Sequence, residues 1–193
     1  AAFAVSRLTR HSGQPLRVLL LDEDWTQTLH IAHALADLGC RVDILTSAPS
    51  HECVPFQAGR VHQRPGPPVR GTAYVEFLDQ LIAREGYDVV YPQTEAIMWH
   101  LWDAPLDWAD VVFPPTNAHQ RRLLRDKRAM SEFLEPFGVR IPRIVTAECA
   151  DAVRRGVREL GTPVVVKGIE TEGGGIGVRI VADEAAALTA VEE

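Results

Sequence analysis

Lys167 and the glycines that follow it are the residues whose types and spacing point most clearly to chemistry. The segment reads Val164-Val165-Val166-Lys167-Gly168-Ile169-Glu170-Thr171-Glu172-Gly173-Gly174-Gly175-Ile176-Gly177-Val178. Glycine has no Cβ, so its backbone can approach a ligand closely and adopt positive φ. Backbone N–H groups at Gly173, Gly174, Gly175 and Gly177 can then line a phosphate, and Lys167 can bring a point charge to the same phosphates. The order excludes a P-loop, in which the lysine follows the glycines and opens a helix. The competing reading is a hairpin tip beside a solvated lysine.

Two polar clusters follow strand-like runs: Asp22-Glu23-Asp24 and Gln93-Thr94-Glu95. The first replaces the glycine fingerprint of a dinucleotide site with three carboxylates, which would repel a pyrophosphate. Open parallel sheets bind ligands beyond the carboxyl ends of their strands. Glu23, Thr94 and Glu95 are therefore the candidates for substrate contact, with Glu95 suited to an ammonium and Thr94 to a carboxylate. Thr94 and Glu95 equally suit the cap and first turn of a helix. Trp99, Trp102 and Trp108 read as packing residues, since Trp99 and Trp102 share a helical face.

The elements that must position these residues follow from periodicity. Leu16 to Leu21 (LRVLLL) is a continuous apolar run, as in a strand buried on both faces. Thr26 to Leu38 is helical, with Ile31, Leu35 and Leu38 on one face and Gly39 as the stop. Arg41 to Leu45 (RVDIL) is a second strand, and strand–helix–strand at this spacing is a parallel unit. His51 to Val69 reads as a loop around one short strand near Val61. Tyr74, Phe77, Leu78, Leu81 and Ile82 mark an amphipathic helix. Tyr87 to Tyr91 is a strand, Thr94 to Trp102 a short helix, and Asp110 to Phe113 a strand closed by Pro114 and Pro115.

The texture then changes from α/β to α+β. Asn117 to Phe137 is helical with a break near Asp126, and Met130, Phe133, Leu134 and Phe137 share a face ending at Gly138. Arg143 to Thr146 is expected to be a short strand, and Val153, Val157 and Leu160 mark a helix. Pro163 to Lys167 and Val178 to Val181 form an antiparallel hairpin around the glycine loop. Asp183 caps a final helix. The expected division is an arm over 1–15, an α/β domain over 16–115, and an α+β region over 116–193.

Bulk properties narrow the function classes. The chain has 193 residues, 46% of them hydrophobic, enough for a packed core. Its net charge of −6 argues against a general nucleic-acid binder, which needs clustered Lys and Arg. No apolar run is long enough for a membrane helix. Cys40, Cys53 and Cys149 match no zinc spacing and read as reduced thiols of a cytoplasmic protein. Residues Ala1 to Gln14 lack the apolar core of a secretory signal; a frayed arm is the preferred reading over a transit remnant.

One succession remains: Pro114-Pro115-Thr116-Asn117, then Asp126-Lys127, then Gly138-Val139-Arg140-Ile141-Pro142, then Pro163-Val164-Val165-Val166-Lys167 and the glycine loop ending in Gly177-Val178. In order and spacing, from about Leu16 onward, it resembles the ATP-grasp superfamily, closest to its carbamoyl-phosphate-synthase-like branch. The resemblance implies an open parallel, Rossmann-like pre-ATP-grasp α/β domain followed by an α+β partial ATP-grasp lobe. It implies that Lys127 and Lys167 are the two phosphate-contacting lysines and that Gly173, Gly174, Gly175 and Gly177 close over the triphosphate. Many members have Pro after the strand lysine, whereas this chain has Gly168. The implied reaction joins a small carboxylate to an amine or other nucleophile through an acylphosphate, using ATP and Mg2+. The magnesium ligands and the adenine-reading hinge are expected in a second lobe beyond Glu193, so this stretch alone is expected to be inactive. Val191-Glu192-Glu193 falls too soon after Val181 to be that hinge. Such enzymes are often dimers, so a homodimer is expected by analogy.

Two other classes compete. The start resembles a response-regulator receiver, with paired acids after its first strand, but Tyr87–Tyr91 ends in Tyr91-Pro92 with no phosphoacceptor Asp. A non-catalytic binding or scaffold domain on the same fold is the other alternative.

Overall fold

The computed structural model describes residues 14–21, 25–46, 59–64, 71–168 and 177–192. The chain divides into two compact units, one running to Thr116 and one from Asn117.

The first unit is built on four parallel strands: β1 (Arg17–Leu21), β2 (Arg41–Thr46), β3 (Val61–Gln63) and β4 (Val89–Pro92). Their order is β3-β2-β1-β4, with Arg17 opposite Arg41 and Val18 opposite Val89. Helices α1 (Trp25–Asp37), α2 (Thr72–Glu85) and α3 (Glu95–Asp103) make the connections. Alternating β1 side chains face two cores. Leu19 and Leu21 join Leu45, Val90 and the α2–α3 residues Leu78, Leu81, Ile97 and Leu101. Val18 and Leu20 join Val42, Ile44 and Ala32 of α1. Leu19, Leu20 and Leu21 have no exposed surface, which explains why the run does not alternate with polar residues. Each such leucine contributes about 1.5–3 kcal/mol by leaving water.

Two expectations for this unit need correction. Asp110 to Phe113 is not a full strand. A 3-10 turn at Ala109–Val111 leaves a single parallel bridge, Val90 to Val112, and Phe113 donates one backbone hydrogen bond to Val90 at 2.9 Å. Pro114 and Pro115 have no N–H with which to extend the ladder. Leu38 does not belong to the buried face of α1. It lies past the helix end and is 79% exposed, while Gly39 turns the chain at φ 82°.

The second unit starts with a helix pair, α4 (Ala118–Arg125) and α5 (Lys127–Leu134). It continues with α6 (Ala150–Leu160), the antiparallel hairpin β5 (Val164–Lys167) and β6 (Val178–Val181), and α7 (Glu184–Glu192). Val164, Val166 and Val181 pack with Val153, Val157 and Ala187 of α6 and α7. Asp183 caps α7 by accepting the Ala186 N–H at 2.8 Å.

Arg143 to Thr146, expected as a strand, is irregular. Two of its side chains, Arg143 and Val145, lie against α6 instead. A Cβ on Gly156 would lie only 3.1 Å from Val145 Cγ1, and Arg143 pairs with Glu159 at 3.1 Å. The expected buried face of the α5 region is also weaker than its spacing suggests. Ala129 is its one buried residue, and Phe133 and Phe137 are 42% and 70% exposed, leaning on each other with ring centroids 5.4 Å apart.

Candidate functional site

Lys127 is positioned by the residue before it. Asp126 closes α4 and caps α5, its Oδ1 accepting the N–H groups of Arg128 at 2.8 Å and Ala129 at 3.0 Å. A short polar side chain that accepts these first-turn donors fixes where a helix begins. Lys127 is thereby the first residue of α5, and Ser131 Oγ donates to its carbonyl at 2.8 Å. An ammonium beside the positive end of a helix makes a locally anion-favouring region. Upstream, α4 has its own reciprocal cap. Gln120 N–H donates to Asn117 Oδ1 at 2.9 Å, and Asn117 N–H donates to Gln120 Oε1 at 3.0 Å.

Lys167 is positioned by the hairpin. It ends β5 opposite Val178, the first residue of β6, and its side chain is exposed. Because Val164 and Val166 point into the α6–α7 core, strand alternation puts Val165 and Lys167 on the other face. Gly177 precedes β6 at φ 69°, a conformation that a residue with a Cβ adopts only with strain.

Lys127 and Lys167 line one groove of about 650 Å³, together with Ser131, Thr146 and Gly168. That volume lies within the roughly 300–1,000 Å³ of small-molecule sites. Of the sequence candidates, the two lysines share this groove and Gly177 stands at the hairpin return. Gly173, Gly174, Gly175 and Glu23 lie outside the described residues. Among the described residues no cluster of three His, Cys, Asp or Glu could hold a metal ion.

Thr94 and Glu95 sit in the first unit, where Thr94 caps α3 by accepting the Ile97 N–H at 3.3 Å and Glu95 opens its first turn. Gln93, just before them, belongs to the same polar cluster in the sequence but was given no role there. Both polar atoms of its amide are buried, each with less than 1 Å² accessible, and neither has a hydrogen-bond partner. Trp102 is buried, and Trp108 packs against the α2–α3 core while its indole donates to Asp79.

The opposite end of the sheet holds a polar network that sequence reasoning also missed. Asp43 is 1% exposed in the middle of β2. Its carboxylate accepts from the Tyr87 hydroxyl at 2.8 Å and from the Arg60 N–H at 2.7 Å, and Arg17 and Arg60 lie at 4.0 and 3.8 Å. Burial, then the bond to Asp43, pushes the Tyr87 phenol well above its ordinary pKa. These groups join β3 to β1 and β2 at the end away from the strands' carboxyl termini, where stability is the expected role.

The fold matches the N-terminal part of solved biotin carboxylases and of an N5-carboxyaminoimidazole synthase. The chain is similar to the biotin carboxylase domain of the Hydrogenobacter thermophilus 2-oxoglutarate carboxylase, a dimer solved with MgADP, ADP and bicarbonate, at TM-score 0.66 and 18% identity. It is similar to Campylobacter jejuni biotin carboxylase at TM-score 0.65 and 17% identity. It is also similar to an Aspergillus clavatus N5-carboxyaminoimidazole synthase, solved with ADP and 5-aminoimidazole ribonucleotide, at TM-score 0.61 and 16% identity. The alignments cover 93%, 90% and 92% of this chain but only 40%, 40% and 43% of those proteins, so the chain spans less than half their length. At these identities the likeness carries the fold. No family model and no curated protein matches the chain.

Proposed function

We propose that this chain is the substrate domain and the first half of the ATP-binding lobe of an ATP-dependent ligase that joins a carboxylate to an amine. The observation that carries the reading is the shared groove of Lys127 and Lys167. Two ammonium groups on one groove suit a polyanion such as a triphosphate, because charge-assisted contacts are roughly twice as strong as neutral ones. The solved structures of the same fold that hold ADP support a nucleotide as that polyanion.

ATP, when bound, supplies the phosphoryl group that activates the carboxylate. The chain's own residues hold and orient it. Lys127 and Lys167 bind the phosphates, the Gly173–Gly177 backbone covers them, and the first unit presents the acid and the amine near Glu23, Thr94 and Glu95. Positioning and charge neutralisation are the main catalytic contributions in phosphoryl transfer. A cytoplasmic homodimer is the assembly we infer, by analogy with the dimeric biotin carboxylase domain.

Calorimetric titration of ATP into the chain tests this reading. Lys167→Ala should weaken binding by about 1.5–3 kcal/mol, the worth of a charge-assisted contact. Unchanged affinity in that variant, with its fold intact, would sink the proposal.

A further inference from the structure

We propose that the Lys127–Lys167 groove also takes a medium-chain aliphatic carboxylate, its head on Lys167 and its chain along β5, in competition with ATP. The competition rests on the ligase reading above; the carboxylate site itself does not. Four cations line the groove, Lys127, Arg128, Arg143 and Lys167, and among the described residues no Asp or Glu does. Arg128 and Arg143 are already paired, with Glu132 at 2.8 Å and Glu159 at 3.1 Å. Lys167 is exposed and, among the described residues, its ammonium enters no hydrogen bond or ion pair. It is a charge left for the anionic end of a ligand.

Away from the lysines the groove is aliphatic. Ile144, Val145, Leu160, Pro163, Val164 and Val166 line it, all partly or largely open to solvent. A triphosphate has no apolar part to cover such a wall, whereas an alkyl chain laid on it leaves water. A nucleobase or sugar there would bring donors and acceptors that these side chains cannot pair.

The dimensions set the length of the chain. Each residue from Pro163 to Gly168 lines the groove, so it follows β5 to Lys167. At the rise of an extended strand, Pro163 to Lys167 spans roughly 13 Å. An extended chain of about eight to ten carbons fills that length at C–C bonds of about 1.5 Å. With the carboxylate at Lys167, the tail ends beside Pro163. The same ammonium is the phosphate contact proposed for ATP, so the two anions exclude each other.

The test is calorimetric titration of the chain with acetate, butyrate, hexanoate, octanoate and decanoate, each below its micelle concentration. Octanol and octylamine are the uncharged and charge-reversed controls. Affinity should rise about fourfold per added CH2 up to about octanoate, and octanoate should bind about tenfold or more tightly than either control. Lys167→Ala should remove that preference while octanol binding stays, and Ile144→Ser should lower octanoate affinity about threefold or more, with circular dichroism checking both folds. Saturating octanoate should weaken the apparent affinity for ATP. No octanoate binding, equal binding at all chain lengths, or equal binding of octanol and octanoate overturns the carboxylate site; ATP affinity untouched by saturating octanoate overturns the competition. Retained ATP binding without octanoate binding would leave the ligase reading standing. Loss of ATP binding from the unmodified chain, with octanoate still bound, would remove the ligase reading and leave the carboxylate site.

Discussion

Tyr87 donates a 2.8 Å hydrogen bond to Asp43, a carboxylate 1% exposed in the centre of a buried strand. A buried charge is tolerated only when its lone pairs are occupied. Tyr87→Phe keeps the ring, and with it the Arg17 guanidinium 5.2 Å from the ring centroid, but removes one donor from Asp43. Urea unfolding should show a loss of about 1–3 kcal/mol, with ATP affinity unchanged because the network belongs to the first unit and the Lys127–Lys167 groove to the second.

Glu85 supplies the pH dependence of the same region. Hydrogen bonds from Arg60 first, then Arg84, hold its carboxyl near a pKa of about 2 against an ordinary 4.5. A carboxyl with a lowered folded-state pKa contributes stability that is fully present above its unfolded value and is lost as pH falls toward its folded value. Stability measured from pH 6 downward should therefore decline between about 4.5 and 2, and Glu85→Gln should flatten part of that decline. Identical slopes for the two proteins would contradict this account.

Gly59 is fixed by a close backbone approach. A Cβ built there would lie 1.5 Å from the Val42 carbonyl oxygen and 2.7 Å from Asp43 Oδ1. Gly59→Ala must push the β3 segment off β2. The expected cost is at least the roughly 1–3 kcal/mol of an overpacked core, read as a lower urea midpoint.

Asp126 separates a folding role from a binding role. Asp126→Ala loses the acceptor for two first-turn N–H groups and should cost about 0.5–2 kcal/mol. It should also weaken ATP binding by releasing the start of α5 and with it Lys127. Asp126→Asn keeps a capping acceptor and should restore most of both. Rescue of stability without rescue of binding would point to a direct electrostatic effect of the charge.

Elements defined by their own residues were the legible part of the fold. The all-apolar LRVLLL run, the break at Asp126 and the Asp183 cap each depend on a short-range signal, and each is present in the structure. Elements defined by partners were not. Whether Arg143 to Thr146 pairs as a strand depends on what lies beside it, and here Arg143 and Val145 lie against α6 instead. Helical spacing at Phe133 and Phe137 gives a face but not a cover for that face.

The site divides in the same way. Lys127 and Lys167 could be singled out from the motifs that contain them, though not from their distance in sequence, which hides the shared groove. Gln93 could not, because an unpaired amide is a property of the packed neighbourhood. Asp43 left one signal, a lone carboxylate between the apolar Val42 and Ile44 of a strand.

A double-mutant cycle on ATP binding tests the central claim most directly. Lys127→Ala, Lys167→Ala and the double variant are titrated with ATP at one ionic strength. If both ammonium groups hold one triphosphate, each single variant weakens binding, and the double variant departs from the sum of the two by about 0.5–3 kcal/mol. Strict additivity, or no loss from either lysine, would contradict the account.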